Sequence, residues 1–244
     1  MLICASTVKL SVVIPTLNEE RFIAKTLQSL AAQDLPSDVS FELLIVDGGS
    51  CDATVEVITR FFDTNDTLPV RIFRSITGRA FQLNCGANFA TGEALLFLHA
   101  DTVLSQNALA ELARALQNPS VQYGYFAMDF DDAHPLARLY SAATRINSIL
   151  THYGDSGIFA RRTFFEALGK FPEQELMEDL EFLFRARTLA EPTLIKTASL
   201  TTSARRFKKN GFFSQQLFNA YLVARYIFGA NASELKQQYD AYRK

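Results

Sequence analysis

The chain has 244 residues, 48% of them hydrophobic, and its 24 Lys and Arg against 26 Asp and Glu give a formal net charge of -2. This length and apolar content support a single α/β domain with a large core. The charge does not fit a nucleic-acid-binding domain, which is usually clearly basic, so nucleic acid is not expected as a partner.

Cysteine use and hydrophobic runs bear on the cellular location. Cys4, Cys51 and Cys85 are isolated in the sequence, which is the pattern of neither a disulfide framework nor a zinc site. A reducing cytoplasm is the natural compartment for such a chain. The first residues lack the basic region of a signal peptide, and no apolar run reaches the roughly 20 residues of a membrane helix. We therefore predict a cytoplasmic protein that is soluble or at most peripheral to the membrane.

Strands and helices are predicted to alternate through the first half of the chain. The hydrophobic patterns indicate strands over residues 10–14, 41–46, 70–73 and 94–98, and helices over residues 20–33, 53–62, 79–89 and 105–117, the last with Ser105 as its N-cap. This alternation predicts an α/β fold, with a mostly parallel central sheet and helices on both faces. Ligands of such sheets bind beyond the carboxyl ends of the strands, where Asp47 and Asp101 lie.

The second half of the chain is less regular. A strand is predicted over residues 123–130, a helix over 134–150, an irregular segment over 153–160, a helix over 177–189, one or two strands over 193–202, and helices over 211–228 and 233–242. No repeat or linker marks a second domain. We predict one domain over residues 1–244, with a nucleotide-binding half over about 8–120 and an acceptor-binding half over about 121–244.

Three motifs follow one another at predicted strand ends: SVVIPTLNEE, LLIVDGGSCDAT and LLFLHADT. Together with the later MEDLEF and TSARR, they resemble the family 2 glycosyltransferases of the GT-A fold. The stretch GRAFQLNCGANFATGE, with MEDLEF and TSARR, is similar to one soluble subgroup, the radical-SAM/selenodomain-associated transferases of type 2. The resemblance implies a nucleotide-diphosphate sugar donor (a UDP-sugar), a divalent metal (Mn²⁺ or Mg²⁺), and inverting transfer to a hydroxyl of a small-molecule or lipid-linked acceptor.

Two departures from the family pattern are visible. The Asp-x-Asp motif of most members is His99-Ala100-Asp101 in this chain, so only one of its two carboxylates remains. The chain also contains no Trp, whereas the processive synthases of the family carry a Gln-x-x-Arg-Trp motif. Both departures argue against a polymerising membrane synthase, and the first weakens the expected metal site.

On the donor side, the resemblance assigns Asp101 to the metal, since carboxylate oxygens suit Mg²⁺ and Mn²⁺, and His99 could add an imidazole for Mn²⁺. It assigns the nucleotide to a set of residues near the first strand ends: Pro15, Thr16, Asn18, Glu19, Asp47, Gly48, Arg79 and Ala100. Arg79 is expected in the loop before the third helix, where its fork geometry suits phosphate. Gln82 and Asn84 could add polar contacts. Arg205 or Arg206, in a late basic loop, is expected to close over the diphosphate.

Each donor-side residue also has a purely structural explanation. Asp101 could cap the loop before a helix, Asn18 and Glu19 could begin the first helix, and Asp47 could belong to turn chemistry with the glycines after it. The basic loop at Arg205 could simply be solvated.

On the acceptor side, the resemblance assigns Asp179 as the general base, Glu178 as its support, and Gly154 and Asp155 to acceptor binding. An acceptor hydroxyl is a poor nucleophile unless a base removes its proton during attack. Acidic residues in a first helical turn also stabilise the helix dipole by about 0.3–1 kcal/mol, so Glu178 and Asp179 have a structural explanation too.

Two other functions compete with the transferase. A non-catalytic nucleotide or nucleotide-sugar binding protein would explain the altered His99-Ala100-Asp101 motif. A sugar-1-phosphate nucleotidyltransferase needs a Gly-rich loop with a Lys, and residues 15–18 do not provide one.

A membrane contact is a further prediction for the C-terminal part. The basic stretch from Arg205 precedes an aromatic helix, which packs into the core or touches an anionic membrane at its inner face.

Overall fold

The computed structural model describes residues 8–65, 68–148, 152 and 156–243. Within these residues eight strands form one sheet with the order β3-β2-β1-β4-β7-β6-β8-β5. The strands are β1 (Val8–Thr16), β2 (Val39–Asp47), β3 (Val70–Arg74), β4 (Ala94–Phe97), β5 (Thr102–Leu104), β6 (Tyr123–Phe130), β7 (Phe159–Arg161) and β8 (Thr193–Thr202). The helices are α1 (Ile23–Ala31), α2 (Thr54–Asp63), α3 (Arg79–Phe89), α4 (Ala108–Leu116), α5 (Pro135–Ala143), α6 (Arg162–Ala167), α7 (Glu178–Arg187), α8 (Arg205–Asn210), α9 (Phe212–Ile227) and α10 (Ala232–Arg243).

The first four strands form the parallel part of the sheet, as predicted. β1 pairs in parallel with β2 and with β4, and β2 pairs in parallel with β3. Residues 10–14 of β1 are all buried, because a parallel strand in the middle of a sheet is covered on both faces. The four predicted strands are confirmed, with bounds that differ by no more than two residues at each end.

Helices cover both faces of the sheet, and alternate side chains of one strand show this. Leu10, Val12 and Ile14 of β1 pack in a hydrophobic cluster with residues of α1, α2 and α4. Val13, between them, packs in a second cluster with residues of α3, α7 and α9. Since neighbouring side chains of a strand point to opposite faces, the two clusters lie on the two sides of the sheet.

The second half adds strands of both directions. β7 pairs antiparallel with β4 and with β6, β8 pairs in parallel with β6, and β5 pairs antiparallel with β8. The predicted "one or two strands" over residues 193–202 are the single strand β8, whose pairing with β6 shifts register between Phe126 and Ala127. β5, β7, α6 and α8 were not predicted, because each has at most six residues and is too short to show a hydrophobic period.

Several predicted helix bounds were wrong. The first helix begins at Ile23 rather than residue 20, because Asn18 has a positive φ of 56° and the chain turns there before the helix begins. Ser105 is not the N-cap of α4: Asn107 occupies that position, and the Ser105 hydroxyl donates to the Asn107 side chain. The helix predicted from residue 134 ends at Ala143, and residues 149–150 lie outside the described part.

The two C-terminal helices are confirmed with nearly the predicted bounds. In the part of the chain that the structure describes, no helix combines the length and hydropathy needed to span a membrane.

Candidate active site

Three strand ends meet at one edge of the sheet. Thr16, the last residue of β1, lies opposite Asp47, the last residue of β2. The extension of β4 joins them, since the Leu98 N–H donates to the Val13 carbonyl at 3.0 Å, and the segment 99–101 follows. The predicted donor-side residues of the first half therefore come together, as their positions after parallel strands required.

Asp47 lies at the centre of a closed hydrogen-bond network. Its Oδ2 accepts the N–H groups of Gly49 and Ser50, each at 3.0 Å. Its Oδ1 accepts the hydroxyls of Ser50 at 2.5 Å and Thr16 at 3.2 Å. Burial by itself would raise the pKa of Asp47, but these hydrogen bonds outweigh burial and lower the pKa. A carboxylate has about four lone-pair sites, so a new donor reaches Asp47 only when the Ser50 or Thr16 hydroxyl turns away.

Hydrogen bonds join the loop after β1 to the loop after β2. Asn18, in the left-handed conformation, donates its N–H to Ser50 Oγ at 3.0 Å and accepts the Cys51 N–H on Oδ1 at 2.8 Å. The Glu19 N–H donates to Thr54 Oγ1 at 2.8 Å. Sequence reasoning did not single out Ser50, although its place directly after Asp47-Gly48-Gly49 was a signal for it.

Gly48 and Gln82 fit closely beneath these loops. The Gln82 amide donates to the carbonyls of Thr16 and Val46, each at 2.8 Å. A Cβ at Gly48 would lie 2.9 Å from Gln82 Cδ. Gln82 therefore ties the ends of β1 and β2 together, beside Pro15, which pairs with Val46. Asn84 is likewise used inside the fold, where it bonds the backbone of Phe171.

Arg205 joins the loops after β1 and β4. Its guanidinium makes a two-pronged ion pair with Glu19, at 2.8 and 2.9 Å, and approaches Asp101 Oδ2 at 3.2 Å. It stacks over the Phe22 ring at 4.4 Å. Arg205 is the first residue of α8 rather than part of a loop. Arg206 lies elsewhere, over the ring of Tyr239, so of the two predicted arginines only Arg205 reaches the site.

Arg79 joins α3, the segment after β4 and the start of α7. It is the first residue of α3, whose bounds match the helix predicted over residues 79–89, and it does not lie in the loop before that helix. Its guanidinium pairs with Glu178, with Asp179 Oδ2 at 2.7 Å and with His99 Nε2 at 3.0 Å. The side chains of Glu178 and Asp179 are only 2% and 9% exposed. A buried carboxylate pair requires such a partner, so the two acids do more than stabilise a helix end.

Met177 orients this acidic pair. It precedes α7 in the left-handed conformation, with φ 65° and ψ 18°, a geometry that costs a non-glycine residue about 1–2 kcal/mol. Its side chain is buried in the second hydrophobic cluster, which offsets that cost. The sharp turn brings the first residues of α7 to Arg79.

Each residue of the segment 99–101 contacts a different part of the chain. His99 contacts Arg79, the Ala100 carbonyl accepts the Thr26 hydroxyl at 2.8 Å, and Asp101 contacts Arg205. Both arginines of the site therefore meet at the segment that replaces the Asp-x-Asp motif.

A divalent cation fits this site only together with a bound anion. Among the described residues no group of three or more His, Cys, Asp and Glu side chains could hold a metal ion. A guanidinium only donates, so His99 Nε2 must accept from Arg79, and its lone pair does not face a metal. Asp101 is the remaining carboxylate of the segment. The carboxylates of Glu19, Asp101, Glu178 and Asp179 outnumber the guanidiniums of Arg79 and Arg205, so a bound anion would meet an excess of negative charge.

The predicted acceptor residues Gly154 and Asp155 lie outside the described residues.

Comparison with known proteins gives a family match over most of the chain. The model of the family described as "Glycosyl transferase family 2" matches residues 11–209. Among curated relatives, the poly(ribitol-phosphate) beta-N-acetylglucosaminyltransferase TarS of Staphylococcus aureus is 30% identical over 105 residues, which are 43% of this chain and 18% of that protein. The chain therefore spans less than two thirds of this relative.

Solved structures share the fold at low sequence identity. The S. aureus TarS 1–349 structure in complex with UDP-GlcNAc matches with a TM-score of 0.66 and 22% identity, covering 80% of this chain and 58% of that one. The mannosyltransferase PcManGT of Pyrobaculum calidifontis, in complex with GDP-Man and Mn²⁺, matches with a TM-score of 0.67 and 21% identity, covering 91% and 65%. These likenesses show the fold of the chain.

Proposed function

Because the chain belongs to glycosyl transferase family 2, we propose that it transfers a sugar from a nucleoside-diphosphate sugar to a hydroxyl acceptor. The donor that we expect first is a UDP-sugar, and the transfer inverts the configuration at the anomeric carbon. The observation that carries the proposal is the pair of arginine clusters at the carboxyl ends of β1, β2 and β4. One cluster holds Arg205 against Glu19 and Asp101, and the other holds Arg79 against Glu178 and Asp179.

In this proposal the nucleoside binds at the ends of β1 and β2. Asp47 receives the ring N–H of the base once the Ser50 or Thr16 hydroxyl turns away. Asn18, Gly48 and Pro15 form the surrounding backbone, and Glu19 and the Ala100 backbone lie beside the ribose and phosphates. The structural neighbours named above were solved with UDP-GlcNAc and with GDP-Man, which supports a nucleoside diphosphate sugar and leaves the choice of base to measurement.

Arg79 and Arg205 can stabilise the negative charge of the leaving group. A nucleoside diphosphate departs with increasing negative charge, and fixed cations stabilise that charge best where they are already in place. Arg205 can exchange its bonds to Glu19 and Asp101 for phosphate oxygens, because its fork suits both anions. Asp101, released from Arg205, would hold the metal together with phosphate oxygens, and the metal would supply further neutralisation of the diphosphate.

Asp179 is the general base in this proposal. It accepts the proton of the acceptor hydroxyl as oxygen attacks the sugar carbon, and the bond from that carbon to the diphosphate breaks on the opposite face. Arg79 holds the Asp179 carboxylate in place, since its Nη2 donates to Asp179 Oδ2 at 2.7 Å. Glu178, on the same guanidinium, fixes Arg79 in turn.

Calorimetric titration of UDP tests the donor site, with Mn²⁺, with Mg²⁺ and with EDTA. We expect micromolar binding that requires metal in the wild type and disappears in Asp101→Asn, while the control Asp34→Asn, at an exposed carboxylate, binds as the wild type does. Glu19→Gln breaks the Arg205 pair without removing Asp101, and should keep the metal requirement. Failure of every nucleoside diphosphate to bind would refute the proposal.

A further inference from the structure

Helix α9 carries a second apolar face that points to solvent. Its inner face buries Phe212, Leu222 and Val223 against the rest of the chain. Its outer face exposes Phe213 (68%), Leu217 (60%), Tyr221 and Phe228 (89%), with Ala220 and Ala224 between them. These positions recur every three to four residues and so form one continuous stripe on the helix. The stripe, hereafter the outer α9 face, contains no charged residue.

The charged side chains of the segment around the outer α9 face are all basic, and two of them have acidic partners outside it: Lys208 pairs with Asp132 and Arg225 with Glu234. Residues 203–233 contain five of the chain's 24 Lys and Arg and none of its 26 Asp and Glu. Arg206, Lys208 and Lys209 are exposed in α8, within seven residues of Phe213. On α9 itself, Arg225 donates to the Tyr221 hydroxyl at 3.1 Å, so the polar tip of Tyr221 is turned to a basic group.

We propose that the outer α9 face docks onto an anionic phospholipid surface. A helix that combines an exposed apolar stripe with Lys and Arg at its edges lies in the headgroup region, where the stripe enters the acyl boundary and the cations meet lipid phosphates. Tyrosine suits that boundary because one end of the ring is apolar and the other polar.

Charge argues against a second copy of the chain as the occupant. A two-fold interface brings the same surface of both copies together. An interface on this face would place the exposed Arg206 and Lys209 of both copies at its edge, and residues 203–233 contain no acidic residue. An anionic lipid surface complements the segment instead.

The docked helix is adjacent to the candidate active site along the chain. α8 begins with Arg205 in the site and ends at Asn210, and Gly211, with φ 82°, turns the chain directly into α9. Docking would therefore hold Arg205 next to the membrane. If the proposed transferase function holds, this placement favours an acceptor presented at a lipid surface.

Vesicle co-sedimentation of the full chain tests the docking without donor or acceptor. We expect binding to phosphatidylcholine vesicles that contain phosphatidylglycerol, weak binding to pure phosphatidylcholine, and loss of the difference at high salt, where charge attraction is screened. Phe213→Ser with Leu217→Ser should lower the partition coefficient by about tenfold or more, and Lys209→Gln should lower it by a few-fold, about the effect of one charge near the surface.

Two control variants test whether the loss of any exposed apolar or basic side chain lowers vesicle binding. Leu189→Ser removes an equally exposed leucine just after α7, and Lys25→Gln removes an exposed lysine of α1; both should bind vesicles as the wild type does. Equal, weak association of the wild type with both vesicle types would overturn the proposal. So would a dimer, detected by light scattering, that Leu217→Ser dissociates. Neither outcome bears on UDP titration, so the docking and the transferase proposals can fail separately.

Discussion

At the scale of single residues, the candidate site contains more carboxylates than guanidiniums. Arg79 and Arg205 each contact two acidic side chains and one ring, His99 or Phe22. Each guanidinium keeps the carboxylates around it paired, which buried or half-buried charges require. The residue-scale predictions concern what happens when one member of each cluster is removed.

Asp179→Asn should slow transfer strongly while leaving the donor site intact. The amide keeps the size of the side chain but cannot take a proton, and general-base catalysis contributes about 10²–10⁴-fold to rates. We expect UDP release from a turned-over UDP-sugar to fall by that factor, with calorimetric UDP affinity nearly unchanged. Glu175→Gln, at an exposed acid before α7, is the control. An active Asp179→Asn protein would assign the base elsewhere.

Arg205→Gln should weaken UDP binding and Arg206→Gln should not. Loss of the Arg205 guanidinium leaves Glu19 and Asp101 to repel the diphosphate and removes a charge-assisted bond, worth about 1.5–3 kcal/mol or roughly 10–100-fold in affinity. Arg206 is the neighbouring residue of the same helix but contacts Tyr239. Titration of UDP into both variants measures the difference, and equal affinities would remove Arg205 from the donor site.

At the scale of elements, the second half of the sheet decides how α7 reaches the first half. β7 inserts antiparallel between β4 and β6, and β8 returns in parallel on the other side of β6. Strand β6 passes very close to β8 at Gly124, where an added Cβ would lie 1.9 Å from the Thr193 carbonyl oxygen. The element-scale prediction concerns this close approach.

Gly124→Ala should destabilise the protein by about 3 kcal/mol or more, because the new methyl meets backbone that cannot move without breaking the β6–β8 pairing. Gly49→Ala is the control: its Cβ has nothing within 4 Å and meets only the strain of φ 94°, which costs about 1–2 kcal/mol. Urea unfolding of the two variants measures the costs. Similar costs would mean that the sheet tolerates separation at Gly124.

At the scale of the whole molecule, one buried carboxylate connects separate parts of the sheet. Glu42 of β2 accepts hydrogen bonds from Ser11 of β1, from the N–H and hydroxyl of Thr91 before β4, and from Arg71 of β3, all at 2.7 Å. Burial by itself would raise the pKa of Glu42, but these bonds outweigh burial and lower the pKa to about 2, from an ordinary value of 4.5.

This pKa makes unfolding stability depend on pH. A group whose pKa is lower in the folded state stabilises that state fully above its ordinary pKa, and the contribution disappears as pH falls through the folded value. The stability difference between wild type and Glu42→Gln should therefore be largest above pH 4.5 and shrink as pH falls towards 2. Near neutral pH the variant should lose about 2–4 kcal/mol, because its amide N–H groups face donors.

Urea unfolding at pH 7 and pH 3 measures that difference. Glu56→Gln, at an exposed helix carboxylate paired with Arg60, should change stability by less than about 1 kcal/mol at both pH values. A difference between wild type and Glu42→Gln that is constant with pH would show that the Glu42 charge does not stabilise the fold.

Much of the fold could be predicted from local sequence. The β-branched run at residues 10–14 and its counterparts predicted strands with correct positions, and the acidic residues after them, Asp47 and Asp101, fell at the shared sheet edge. Helix α8 could not be predicted from six mostly basic residues, and without it the sequence left Arg205 and Arg206 equivalent. On a helix, adjacent side chains point about 100° apart, so only the formed helix separates them.

The sequence by itself determined the family, the parallel first half of the sheet and the residue types at the edge formed by its carboxyl strand ends. These follow from short-range patterns: hydrophobic periods, turn residues and motifs at strand ends. Only the tertiary structure decided which charges meet. Arg79 is 100 residues from Asp179 and Arg205 is 186 from Glu19; their pairing depends on the path of every strand between them, and no local preference carries that information.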